Sequence, residues 1–278
     1  MDSIGSNEGY RAISVTRCSP HIGAEVGNID LTRPLTDLEL TELKRAFTEN
    51  MVLFFRDQKI DFEDHVRLAE YFGPVGSHVG KKTHSAQSDD PRVRRMHFDE
   101  HADGISGNAW HSDQSCGAIP PLASILYLHT VPPDGGGDTM FVSMYAAYEA
   151  LSDGMKEYLE HKTALHDGVL IFGDGTPRTR HPVVVRHPES GRKSLFIHSA
   201  AMRQLSDVGK IESDGVIRML AEHCKSPEFA FRFRWAPHSM AFWDNRCCWH
   251  YAINDYFPHV RSGYRVQIEG VSPPVAAA

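Results

Sequence analysis

The sequence lacks any stretch that could cross a membrane. No apolar run in its 278 residues approaches the ~18 residues that a span needs. It lacks blocks of like charge, and its formal net charge is −7. Nucleic acid and anionic membrane surfaces are therefore not expected partners. It has no C-x-x-C motif. Its five cysteines are an odd number at irregular spacing, with Cys247 and Cys248 adjacent. That pattern suits reduced thiols in a cytoplasmic protein better than a disulfide framework. The opening Met1-Asp2-Ser3-Ile4-Gly5 lacks the basic and apolar regions of a secretory signal. Internal repeats, low-complexity tracts and linkers are also missing. One domain over residues 1–278 is expected, with frayed tails at about 1–10 and 272–278.

What is present is a hydrophobic fraction of 41%, enough for a large core. Thr36-Asp37-Leu38-Glu39 is a capping box, and Leu40, Leu43 and Phe47 follow at helical spacing. Met51-Val52-Leu53-Phe54-Phe55 predicts a short buried strand, and Asp61 predicts the N-cap of a second helix. Ser143 and Ser152 are caps for further helices, and residues 214–224 carry another amphipathic stripe. Strand patterns recur at 11–16, 123–130, 138–142, 162–166, 182–186, 194–198, 229–235, 239–243 and 263–270. Many short strands with a few helices predict a mainly β fold with flanking helices. The expected form is a double-stranded β-helix, the jelly roll of cupin-like proteins. Residues 74–107 are polar and poor in apolar side chains, and they predict a lid loop.

Seventeen histidines are more than ordinary composition requires. Three His-x-Asp motifs occur: His97-Phe98-Asp99, His101-Ala102-Asp103 and His111-Ser112-Asp113. The first two fall in the polar segment. The third opens a segment leading into a strand, where positions i and i+2 share a face. His111 and Asp113 could then supply two thirds of a 2-His-1-carboxylate iron site. His250, which lies 139 residues further on between predicted strands, is the favoured third ligand. His223 and His238 are its rivals on the residues alone.

Several motifs in a fixed order resemble the taurine and aryloxyalkanoate (TauD/TfdA) family of Fe(II)/2-oxoglutarate-dependent dioxygenases. They are Gly23-Ala24-Glu25, Asp30-Leu31-Thr32-Arg33-Pro34-Leu35, Phe72-Gly73-Pro74, Trp110-His111-Ser112-Asp113 and Gly136-Gly137-Asp138-Thr139. Further along come Tyr148-Glu149-Ala150-Leu151, His181-Pro182-Val183-Val184, Trp243-Asp244-Asn245-Arg246 and His250-Tyr251-Ala252-x-x-Asp255-Tyr256. The resemblance implies Fe(II) held by His111, Asp113 and His250, with 2-oxoglutarate and O2 as co-substrates. It implies that Thr139 and Arg261 bind the far carboxylate of 2-oxoglutarate. Arg265 would face the substrate or the near carboxylate. A substrate C–H bond would be oxidised as 2-oxoglutarate is converted to succinate and CO2. Hydroxylation, cleavage after hydroxylation and desaturation all remain open outcomes.

His78 falls where the family places a histidine against the sulfonate of taurine. Lys81 or Lys82 stands where an aromatic residue is expected, Gly107 where a polar one is, and Ile197-His198-Ser199-Ala200-Ala201-Met202 where an aromatic and Asn-rich stretch is. These departures point away from taurine itself, while Arg265 keeps an anionic substrate: a carboxylate, sulfonate or sulfate ester. A homo-oligomer is implied by the family's habit. The rival readings are a metal- and acid-binding sensor without turnover, and a metal-dependent hydrolase. The intact triad with Thr139 and Arg261 argues against the sensor, and a hydrolase could use the triad but would not need the keto-acid clamp of Thr139 and Arg261.

Overall fold

Capping places the helices. Thr36 accepts from the Glu39 amide while the Glu39 carboxylate accepts from the Thr36 amide, and helix α1 (Asp37–Asn50) follows. Asp61 and Asp64 repeat the arrangement ahead of α2 (Phe62–Glu70). Ser143 and Ser152 cap α3 (Met144–Glu149) and α4 (Asp153–Glu160), as their positions in the sequence predict. A four-residue α5 (Val169–Phe172) and the long α6 (Lys210–His223) complete the set. The computed structural model describes residues 9–76, 90–101 and 107–277.

In chain order the first strands are β1 (Ser14–Arg17), β2 (Ala24–Gly27), β3 (Val52–Phe55), β4 (Arg94–Phe98), β5 (Ala123–Thr130) and β6 (Thr139–Ser143). Then come β7 (Thr163–Asp167), β8 (Arg178–Pro182), β9 (Val184–Arg186), β10 (Lys193–Leu195) and β11 (Met202–Leu205). The last four are β12 (Ala230–Phe233), β13 (Ser239–Asp244), β14 (Cys248–Ala252) and β15 (Arg261–Ile268). Seven form one sheet in the order β1-β2-β3-β13-β5-β15-β4. Strands β12-β6-β14 make a smaller sheet, β11-β7-β8 another, and β9 pairs with β10.

The alternation of side chains explains how these layers stack. Leu53 and Phe55 leave β3 on one face and join Leu43 and Phe47 of α1 in one core. Phe54 leaves on the other face and meets the smaller sheet, its ring stacked on Phe233 at 4.0 Å. One side of the large sheet is thus covered by α1 and α2, and the other faces β12-β6-β14 across an aromatic core. This is the jelly roll that the strand pattern predicts.

Several features differ from the sequence reading. The expected lid loop at 74–107 contains β4, whose five residues pair with Arg261–Arg265 of β15. Its alternating burial is weak because it is an edge strand, so it reads as polar. His250 sits on β14, not between strands. Strands β2, β8 and β11 and the short α5 were not foreseen, and the expected strand at 229–235 is a 3-10 turn (Pro227–Phe229) followed by β12. The expected C-terminal tail is docked through residue 277: Arg186 and Ala277 donate backbone hydrogen bonds to Val275 and Val184, and Ala277 is buried. Small residues leave no periodic signal from which to predict such docking. Residues 77–89 and 102–106 of the expected lid, which hold His78, Lys81, Lys82 and His101-Ala102-Asp103 beyond its first residue, lie outside the described residues.

Candidate active site

His111 and His250 meet through their backbones. Each amide donates to the other's carbonyl, at 3.1 and 2.8 Å, as an isolated antiparallel bridge. The two rings lie side by side, centroids 4.0 Å apart. His111 is a single bridge residue, not the start of a strand as its sequence suggested. Asp113 reaches the same point from the turn that follows. Both histidine Nε2 atoms face Asp113 Oδ1, at 3.8 Å from His111 and 3.7 Å from His250.

Each group is prepared by its neighbours. His111 Nδ1 donates to the Ala109 carbonyl at 2.6 Å, which leaves the Nε2 lone pair bare. Burial lowers the proton affinity of both imidazoles, so they are neutral donors at physiological pH. Burial pushes the Asp113 carboxyl up, but Arg265, His250 and His111 outweigh it and hold it well below the usual range. Its Oδ2 accepts from Ser124 Oγ at 2.7 Å and from the Arg265 guanidinium. Its amide donates to Asn245 Oδ1, which also accepts from Trp243 Nε1.

Beside this triad lies a cavity of about 600 Å³. Thr139, Arg261 and Arg265 all line it. Arg261 is 4% exposed, and Nε donates to the Gly137 carbonyl at 3.0 Å. One guanidinium nitrogen, Nη2, is buried without any hydrogen-bond partner among the described residues. Its charge lies 5.5 Å from the Trp235 ring centroid, and Trp235 Nε1 donates to Thr139 Oγ1 at 3.0 Å. Glycine is needed at 137: its φ is +78°, and an added Cβ would stand 2.9 Å from Arg261 Cδ. Arg94 of β4, the register partner of Arg265, lines the same cavity. Asp113 is the single acidic side chain among the described lining residues. Met96, Phe98, Leu126, Ile171 and Phe172 supply apolar wall.

The residues assigned from the sequence therefore converge, with His78 alone outside the described set. The rivals are engaged elsewhere. His223 Nε2 donates to the Ala147 carbonyl, and His238 Nδ1 pairs with the Tyr127 hydroxyl. His97, from the first His-x-Asp, lies on β4 with Nδ1 on Ser262. Sequence reasoning missed Ser124, Asn245, Trp235, Arg94 and His198. Trp235 had a signal, because it ends the alternating aromatic row Phe229, Phe231, Phe233 in the sequence. A second trio of donors, His187, Asp244 and Cys247, is buried within a 4.8 Å span. Asp244 is already engaged by His187 Nε2 and Arg246, and this trio braces the turn ahead of β14.

The family described as "Taurine catabolism dioxygenase TauD, TfdA family" matches residues 14–267. This chain belongs to that family. The crystal structure of a taurine dioxygenase from Burkholderia xenovorans superposes with a TM-score of 0.84 at 34% identity, covering 95% of this chain and 91% of that one. The alpha-ketoglutarate-dependent 2,4-dichlorophenoxyacetate dioxygenase of Cupriavidus pinatubonensis is 31% identical over 83% of this chain and 88% of its own. An alkylsulfatase of Acinetobacter baylyi is 28% identical over 93% and 85%. Members of the TauD/TfdA family use Fe(II), 2-oxoglutarate and O2, and the residues here fit those groups. Three lone-pair donors converge with no proton donor between them, which suits a cation. The unsatisfied Arg261 nitrogen suits a dianion with a carboxylate to place there.

Proposed function

We propose that this dioxygenase oxidises a C–H bond of a small amphiphilic anion, releasing succinate and CO2. In this reading His111, Asp113 and His250 hold the iron. Thr139 and Arg261 hold the far carboxylate of 2-oxoglutarate. Arg265 steadies Asp113 and faces the near carboxylate or the substrate, with His78 as a further substrate contact. Bound Fe(II) with 2-oxoglutarate and O2 supplies the oxidising power. The chain's own residues orient the co-substrate, keep water from the site and hold the substrate head. Arginine's planar fork suits a carboxylate through two charge-assisted bonds.

The observation that carries the reading is Arg261: a buried guanidinium, short of an acceptor, in the same cavity as the triad. The substrate class rests on the lining. Among the described lining residues Arg94, Arg261 and Arg265 stand with one carboxylate, Asp113, and a 2+ ion with a 2− keto acid leaves that balance unchanged. The apolar wall suits an alkyl or aryl body on a sulfate ester, sulfonate or carboxylate, in keeping with the names of the relatives above. We further propose that residues 1–278 act as one domain, in a homo-oligomer, in the cytoplasm.

The test is an anaerobic visible titration with Fe(II) and then 2-oxoglutarate. A metal-to-keto-acid charge-transfer band is expected in wild type, absent in His111→Ala and weakened in Arg261→Ala. Iron shown to be bound with no band would exclude the 2-oxoglutarate reading.

A further inference from the structure

His198 stands where the segment 197–202 departs from the family pattern. The chain leaves β10 and turns back on itself, with the Met202 amide donating to the His198 carbonyl at 3.0 Å. Inside that turn His198 Nδ1 accepts two backbone amides, from Ala200 at 3.1 Å and Ala201 at 3.0 Å. The imidazole thus does what an Asn or Asp oxygen does in an Asx turn. Ser199 Oγ donates to the Trp110 carbonyl, which ties the turn to the residue before His111.

Two amides on Nδ1 leave no room for a proton there. The proton must sit on Nε2, which makes that atom a donor whatever enters the cavity. His198 is 5% exposed, lines the cavity, and has its ring centroid 6.1 Å from that of His111. Its Nε2 has no hydrogen-bond partner among the described residues. A capping Asn would satisfy the turn as well and would not extend so far. The longer ring adds an N–H beside the metal triad, in a cavity whose described charged lining is three arginines and one carboxylate.

We propose that His198 is a substrate-positioning residue, its Nε2–H donating to an oxygen of the substrate's anionic head. This rests on the proposed anionic substrate class. It adds a neutral donor, of fixed tautomer, to the cationic side chains of Arg94 and Arg265. A head with several acceptor oxygens can be shared between them.

The test separates the turn-forming role from the donor role. Wild type, His198→Asn and His198→Ala are loaded with Fe(II) and 2-oxoglutarate under argon. Each is titrated calorimetrically with hexyl sulfate, hexane-1-sulfonate and hexanoate. Asn keeps an acceptor for the turn and loses the Nε2 donor; Ala loses both. A lost hydrogen bond to a charged group corresponds to about ten- to a hundredfold in affinity. That loss is expected in both variants for the tightest probe, while thermal stability falls in His198→Ala only. Ring 15N spectra of wild type should show the Nε2–H tautomer, shifted by the same probe. Wild-type affinity in His198→Asn, an Nδ1–H tautomer, or no probe binding to wild type would each overturn the proposal. The charge-transfer band in the same wild-type sample separates the failures. Its absence removes the reading of the iron and 2-oxoglutarate site; with the band present, no probe binding to wild type removes the anionic substrate class, and either of the other two outcomes confines the failure to His198.

Discussion

Arg265 donates to Asp113 Oδ2, the oxygen turned away from the two histidines. The carboxylate is therefore divided: Oδ1 faces His111 and His250, and Oδ2 is held by Arg265 and Ser124. A ligand carboxylate oriented in this way loses less freedom when it takes a metal. Arg265→Met should lower the affinity for Fe(II), or Co(II) as a stand-in, by about 10- to 100-fold. Competition against a chelator measures it. Unchanged affinity would restrict Arg265 to the substrate.

Arg261 presents the opposite case, a buried cation with one guanidinium nitrogen left without an acceptor among the described residues. Removing it should cost 2-oxoglutarate roughly 3–5 kcal/mol of binding, by analogy with breaking a buried ion pair. The apo-protein should lose no stability, because a desolvated charge is removed with it. Thermal melts check both halves. Wild type should melt higher with 2-oxoglutarate present, and Arg261→Met should melt at the same temperature with or without it. A lower apo melting temperature in Arg261→Met would assign the arginine a structural role.

Gly263 separates the two arginines on β15. A Cβ there would stand 1.9 Å from the Tyr127 carbonyl oxygen, at the register shift between Ser262 and Gly263. Gly263→Ala must push β15 away from β5, at about 1–3 kcal/mol as for overpacked cores. The strand carries Arg261 and Arg265, so the variant should also bind 2-oxoglutarate more weakly. Urea unfolding and a 2-oxoglutarate titration read the two effects. Wild-type values in both would show that the strand yields freely.

Acid should destabilise the fold through two histidines outside the site. Burial lowers His65 to about 4 and His166 to about 3, from 6.5. His65 Nε2 donates to the Ile125 carbonyl at 3.2 Å; His166 Nδ1 pairs with Ser115 Oγ at 2.9 Å. Both are neutral when folded, so the unfolded chain takes up protons first. Their contribution is intact above about pH 6.5 and is lost as pH falls toward their folded values. At pH 5 each removes about 2 kcal/mol. Urea unfolding at pH 7.5 and 5.0 should show the fall, and His65→Gln should reduce the difference by one share. An equal difference in the variant would remove His65 from the account.

By itself the sequence determined the elements whose signals are local. The capping box at Thr36, the N-cap at Asp61 and the apolar run before Arg56 each act over a few residues and formed as read, while of the alternation from Phe229 to Trp235 only Ala230–Phe233 became strand. The candidate ligands that the fold brings together were legible too, because His-x-Asp and the later motifs occur in the family's order. Tertiary structure alone decided what depends on contacts between distant segments. It joined His111 to His250 through a backbone bridge across 139 positions, a pairing that carries no periodic pattern. It recruited Ser124 and Asn245 to Asp113, and Arg94 to the cavity from a segment whose polarity reads as loop. It also fixed the tautomer of His198. That depends on two amides brought close by a turn, and neither side-chain type nor spacing in the chain encodes it.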